Sequence, residues 1–284
     1  MSVVVGYDGS EYSEWAVRKA VEEARSRGLA LEVVTVWDQP TVDLGMGSGA
    51  VIDPNLSDVV AQRAAAIAAE GAALVAGVDV TATALAGPAA AALVDRGRDA
   101  ELLVVGSHGR HAVADMLLGG VSRQVATHAR CPVMVVRSGV PVNRRIAVGI
   151  DGSEQSGRAL DFAFEQASRR GASLRVIHSW DVPVIGFDID SGTYPEGGII
   201  DDVRDAETRL SAQLVAGYAE RYPDVAVEVR VIRGQPSRVL VEESQDCDLL
   251  VLGSRGRGGF ASLLLGSVSH RVLHRAHCDL TIVH

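Results

Sequence analysis

Gly253, Gly256, Gly266 and Ser267 carry the spacing glycine, two residues, glycine, nine residues, glycine, hydroxyl residue, directly behind the apolar run DLLVLG. That spacing suits anion binding. A glycine-rich loop that feeds a helix gathers unpaired backbone N–H groups at the positive end of the helix dipole, where a phosphate group is stabilised. Gly253 and Gly256 let amides approach a ligand without a Cβ in the way. Ser267 and Ser269 add hydroxyl donors, with Ser254 and Val268 completing the segment. Arg255 and Arg257 are candidate phosphate clamps, and a solvated loop arginine is the alternative for each. A near-copy, GSHGRHAVADMLLGG, supplies Gly106, Ser107, His108, Gly109, Arg110, Gly119 and Gly120, followed by Val121 and Ser122. A second polar feature is the DGS turn behind an earlier apolar run, with Gly6 and Asp8 in one place and Gly149 and Asp151 in the other. These aspartates are placed to accept hydrogen bonds from a sugar or base. The same DGS also reads as a turn and helix cap, with Ser10 and Ser153 as the capping residues.

Every such feature occurs twice because the chain is written twice. VVVGYDGSEYS (Val3–Ser13) matches IAVGIDGSEQS (Ile146–Ser156), and LEVVTVWDQP matches LRVIHSWDVP, both at an offset of 143 residues. AELLVVGSHGR matches CDLLVLGSRGR, and CPVMVV matches CDLTIV, at an offset of 147. A period this long is a duplicated domain rather than a solenoid. We expect domains over 1–138 and 146–284, joined by a polar linker at 139–145. Each copy alternates short β-branched runs with helical patterns such as Ala16, Val17, Ala20, Val21 and Ala24, stopped at Gly28. Near-continuous apolar strands between amphipathic helices imply an α/β fold, an open five-stranded parallel sheet in each copy with helices on both faces. Ligands of such sheets bind beyond the carboxyl ends of the strands, where strand order reverses. The DGS turn and the glycine loop both fall there. The ensemble suits a nucleotide, with phosphates in the loop and the nucleoside over the first two strand ends.

The Gly253–Ser267 spacing, the VGxDGSxxS opening and the closing strand together resemble the universal stress protein family, over essentially both halves. The resemblance implies strand order 3-2-1-4-5 in each domain and an ATP site in each. By that likeness adenine lies near Gly6, Asp8 and Val36, and near Gly149, Asp151 and Ser179. The triphosphate lies along the glycine loop and the Ser267–Val268–Ser269 helix start, often with Mg²⁺ or Mn²⁺. Closing strands of the family often pair domains, within one chain or between two, so a homodimer is one of two open arrangements, alongside an unidentified protein partner. The first copy departs from the pattern at Gly120, where a hydroxyl residue is expected. One neutral hydroxyl contact contributes about 0.5–1.5 kcal/mol, so the first site should be weaker rather than absent.

Composition narrows the remaining classes. The net charge of −9 disfavours a nucleic-acid surface. Lys19 is the single lysine among 27 basic Lys and Arg residues, which removes the lysine of a Walker A loop and a pocket Schiff base. Three cysteines without a CxxC fit a reducing, cytoplasmic compartment. Neither a signal peptide nor an apolar run of membrane-span length is expected. His270, His274 and His277 share a helical face, which reads as polar surface rather than a metal site. Trp37 and Trp180 follow the second strands and are expected to be buried, with stacking on adenine as the alternative. The loops 39–56 and 184–199 are long enough to be candidate flaps. No paired carboxylates or nucleophile–base set is apparent. The expected function is therefore a cytoplasmic ATP-binding regulatory protein with at most slow hydrolysis. The alternatives are a nucleotide-free interaction module and an ATP-using transferase.

Overall fold

A computed structural model describes residues 1–38, 41–42, 51–52, 54–110, 118–138, 143–181, 197–258 and 264–284. The chain divides into two compact units, Met1–Val140 with Asp279–Ile282 and His284, and Pro141–Cys278 with Val283. The first copy runs β1 (Ser2–Gly6), α1 (Glu11–Arg27), β2 (Ala30–Trp37), a small antiparallel ladder of β3 (Thr41–Val42) and β4 (Val51–Ile52), and α2 (Pro54–Ala73). It continues through β5 (Val80–Ala86), α3 (Ala89–Arg96), β6 (Leu102–Gly106), α4 (Gly120–His128) and β7 (Val133–Val136). Its main sheet has the order β5-β2-β1-β6-β7, with parallel pairing throughout. The second copy runs β8 (Arg145–Ile150), α5 (Glu154–Arg170), β9 (Ser173–Trp180), α6 (Gly197–Arg221), β10 (Val227–Arg233), α7 (Pro236–Glu243), β11 (Leu249–Gly253), α8 (Ser267–Arg275) and β12 (Asp279–Val283). Its order is β10-β9-β8-β11-β12. Numbered within each copy, both sheets read 3-2-1-4-5, as the resemblance implied.

The physical reasons are local. β6 and β11 are buried at all five positions, as strands covered on both faces must be. The edge strands β5 and β10 carry the exposed and half-buried positions. On α1 the periodic residues Ala16, Val17, Ala20, Val21 and Ala24 are all buried. The Ser10 hydroxyl caps α1 by accepting from Ser13 N–H, and Gly28 ends it at φ +65°. Ser153 and Gly171 do the same for α5. Two helices begin earlier than the sequence pattern suggests: α2 starts at Pro54, inside the expected 39–56 loop, and α6 at Gly197, inside the expected 184–199 loop. Pro54 is preset for the first helical position, where its missing N–H has no role. The rest of those loops, residues 39–40, 43–50, 53 and 184–196, lie outside the described residues, as do His111 and Asp115.

One ion pair appears in both copies with its signs exchanged. In the first copy, buried Glu32 of β2 accepts from Arg96 Nε of α3 at 2.7 and 2.8 Å. In the second copy Arg175 stands at the Glu32 place and donates to Glu243, at the Arg96 place, at 2.9 Å. Burying one charge here requires its opposite, and either arrangement meets that requirement.

Candidate functional site

Two clefts open at equivalent places, beyond the carboxyl ends of the central strands. The first, of about 360 Å³, is lined by Gly6, Asp8, Val36, Gly106, His108, Gly109, Arg110, Gly119, Gly120, Val121 and Ser122. The second, of about 450 Å³, is lined by Gly149, Asp151, Ser179, Gly253, Arg255, Gly256, Arg257, Gly266, Ser267, Val268 and Ser269. Of the sequence-selected residues, Ser107 and Ser254 alone are not among the lining residues. Both are buried, and each acts through its backbone: Ser107 O accepts from Gly119 N–H at 2.8 Å, and Ser254 O from Gly266 N–H at 2.7 Å. These bonds close the base of each glycine loop and bring its two ends together.

The aspartates hold the loop against the first strand end. Asp8 Oδ1 accepts from Ser10 N–H at 3.0 Å and from Ser10 Oγ–H at 2.6 Å, while its Oδ2 accepts from Arg110 N–H at 2.9 Å. In the second copy Asp151 Oδ1 accepts from Ser153 N–H at 2.9 Å, and Oδ2 from Arg257 N–H at 3.0 Å. Turn chemistry and the cleft wall are therefore one structure. Burial pushes both carboxyls up, but the serine hydroxyl and the backbone N–H donors outweigh it and hold both below the ordinary aspartate value. The stabilisation from these lowered values is fully present above the unfolded aspartate pKa of about 3.9, and is lost as pH falls through the lower folded value. Asp151→Asn places an amide donor opposite one of these N–H groups. It should lower stability by about 1–3 kcal/mol at neutral pH, with the loss vanishing in acid. Denaturant unfolding of both proteins across the acid range measures this.

The glycines answer to the protein before any ligand. A Cβ on Gly106 would lie 2.7 Å from the carbonyl of Tyr12 in α1, and one on Gly253 would lie 2.8 Å from that of Gln155 in α5. A Cβ on Gly109 would stand 2.7 Å from Asp8 Oδ2, and one on Gly256 would collide with Asp151 Oδ2. Gly9 and Gly152, at φ +80° and +75°, lie directly under the guanidinium groups of Arg110 and Arg257. Gly120 and Gly258 are exceptions, since a Cβ on either meets nothing within 4 Å, and one on Gly266 meets only ordinary contacts from 3.4 Å.

Helices α4 and α8 point their N-termini into the clefts. Both have a glycine N-cap, Gly119 and Gly266, and neither has a side-chain cap, whereas α1 and α5 are capped by serine. Helices α3 and α7 also lack a side-chain cap. Only α4 and α8, however, present their first three consecutive residues to the cleft. The hydroxyls of Ser122 and Ser269 are already engaged, donating to Gly106 O at 2.6 Å and to Gly253 O at 2.7 Å. Ser267 is exposed at the start of α8. Ser179 Oγ–H donates to Gly234 O at 2.6 Å.

Sequence reasoning missed the apolar side of each cleft: Tyr7, Val34, Ala89, Leu93 and Val105 in the first, and Ile150, Ile177, Pro236, Leu240 and Leu252 in the second. Leu93 and Leu240 come from the helix after the third strand, which crosses the sheet at the switch point. Their matched positions in the two copies were the available signal. Trp180 is buried, Trp37 is half-buried, and neither lines a cleft. The two copies differ beside the clefts: the His108 ring lies 4.9 Å from that of Tyr12, tilted by 46°, whereas the aligned places in the second copy hold Arg255 and the non-aromatic Gln155.

Against known families, the model of the universal stress protein family matches residues 1–137 and again residues 143–284. The chain belongs to the universal stress protein family. A universal stress protein of Mycobacterium tuberculosis strain H37Rv is 36% identical over 294 residues, covering 99% of this chain and 96% of its own length. Another from the same strain is 33% identical over 302 residues, with 99% and 96% covered. The crystal structure of a universal stress protein from Archaeoglobus fulgidus superimposes with a TM-score of 0.69 at 20% identity, over 99% of this chain and 95% of that one, which shows a shared fold. This tandem universal stress protein has, among its described residues, no helix long and apolar enough to cross a membrane.

Proposed function

We propose that each domain binds one adenine nucleotide, ATP in the first instance, and that the protein is a cytoplasmic regulator rather than a dedicated enzyme. The observation that carries the reading is the paired arrangement at each switch point, where an uncapped helix N-terminus faces an apolar-floored cleft across a glycine loop. Both volumes fall within the range of about 300–1,000 Å³ usual for small-molecule sites. The free N–H groups at the starts of α4 and α8 suit phosphate oxygens. Val34, Val36 and Leu93, or Ile177 and Leu240, suit the flat face of a base. Mg²⁺ or Mn²⁺ would be carried mainly by the phosphates, because both oxygens of Asp8 and of Asp151 already accept backbone N–H groups. Among the described cleft residues, Asp8 and Asp151 are held by backbone N–H groups and His108 Nδ1 is paired with the Ser107 hydroxyl, which supports slow hydrolysis at most.

The test is to purify the protein natively, load it with Mg-ATP, denature it, and quantify released nucleotide against protein. Close to one nucleotide per domain supports both sites, and none after loading overturns the reading. Gly120→Ser sharpens the test. The Cβ has open space, and the new hydroxyl copies Ser267, so ATP affinity of the first cleft should rise up to about tenfold by titration calorimetry.

A further inference from the structure

Cys247 and Cys278 precede β11 and β12, adjacent strands of the second copy, at the sheet end opposite the cleft. Both are buried thiols, and their Sγ atoms stand 3.5 Å apart, one thiol donating to the other. That is van der Waals contact between the two sulfurs, so reaching the S–S bond length of about 2.05 Å takes a closure of about 1.5 Å. The first copy offers an internal comparison: Cys131 stands at the Cys278 place, but the place of Cys247 is taken by Ala100. The duplicated fold therefore carries one two-thiol site and one single-thiol counterpart.

We propose that Cys247 and Cys278 form a reversible intramolecular disulfide when the protein meets a hydroperoxide. One thiol, as its thiolate, attacks the peroxide and breaks the O–O bond, giving a sulfenic acid and water. The second thiol then attacks the sulfenic sulfur and releases the oxygen as a second water. In sum, two thiols and one hydrogen peroxide give one disulfide and two waters. A cellular dithiol restores the reduced pair by exchange. Burial protects each sulfenic acid from bulky thiols, and the neighbouring thiol, already in contact, captures it before further oxidation. The bond closes a ring over residues 247–278, which holds β11, the glycine loop and α8. Oxidation thus ties together the two ends of the segment that forms one wall of the second cleft. In the first copy Ala100 stands where the second has Cys247, so Cys131 has no second thiol to close a disulfide and stays alkylatable under the same treatment.

The full-length protein, treated with a slight molar excess of hydrogen peroxide, quenched, and alkylated under denaturing conditions, decides the matter. The expected result is a chain lighter by two hydrogens, a single alkylated cysteine at Cys131, and a linked peptide pair carrying Cys247 and Cys278 that dithiothreitol separates. Cys131→Ser should give the same linked pair, and Cys278→Ser should give none. Three alkylated cysteines after peroxide, or linkage through Cys131, would overturn the proposal. These readouts do not depend on nucleotide binding.

Discussion

Gly266→Asp is expected to abolish nucleotide binding in the second domain while the domain remains folded. Gly266 is the N-cap of α8 at φ −69°, an ordinary backbone conformation, and a Cβ there has its nearest neighbours at 3.4 Å. The substitution is therefore tolerated by the protein. Its carboxylate, however, lies at the mouth of the helix N-terminus, where the proposed phosphates sit. Two like charges about 4 Å apart at an effective dielectric of about 20 repel by about 4 kcal/mol, or roughly 1,000-fold in affinity. Nucleotide released per chain should fall to the first-domain share, and calorimetry should retain one binding event, with circular dichroism unchanged. A variant that still binds at both domains would remove the glycine loop of the second copy from the site.

Gly253→Ala should act on the fold rather than on the ligand. The added methyl would lie 2.8 Å from the backbone C and O of Gln155, within α5, where nothing can rotate away. Overpacking of this kind costs about 1–3 kcal/mol, which should lower Tm by roughly 2–12 °C in a domain of this size. Gly106→Ala meets the backbone of Tyr12 in the same way and should match it. Gly258→Ala is the control, since a Cβ there meets nothing within 4 Å and Tm should hold. Scanning calorimetry of the three variants separates the two reasons for a glycine. If Gly253→Ala kept its Tm and lost only ATP affinity, close ligand approach would be the correct reason after all.

That distinction marks where the sequence stopped. The fold was legible because its signals repeat: Ser10 with Gly28, and Ser153 with Gly171, bracket α1 and α5, and the apolar strands β6 and β11 have the continuous pattern that burial on both faces demands. The cleft-bearing loops were legible because glycine spacing before a helix is a local property of the chain. What spacing cannot carry is which groups oppose one another across it. Asp8 reaches Arg110 N–H across a separation of 102 residues, and Leu93 reaches the cleft from a helix the loop pattern does not include. The hydroxyls of Ser122 and Ser269 looked available from sequence, yet the strand-end carbonyls take their protons. Likewise, Cys247 and Cys278 are 31 residues apart, and only the neighbouring strands bring their sulfurs into contact. Local geometry follows from nearest neighbours in the chain. Pairing across the sheet follows from strand order and packing, so the sequence determined the elements and the placement of the glycine loops, and the tertiary structure decided which atoms meet there.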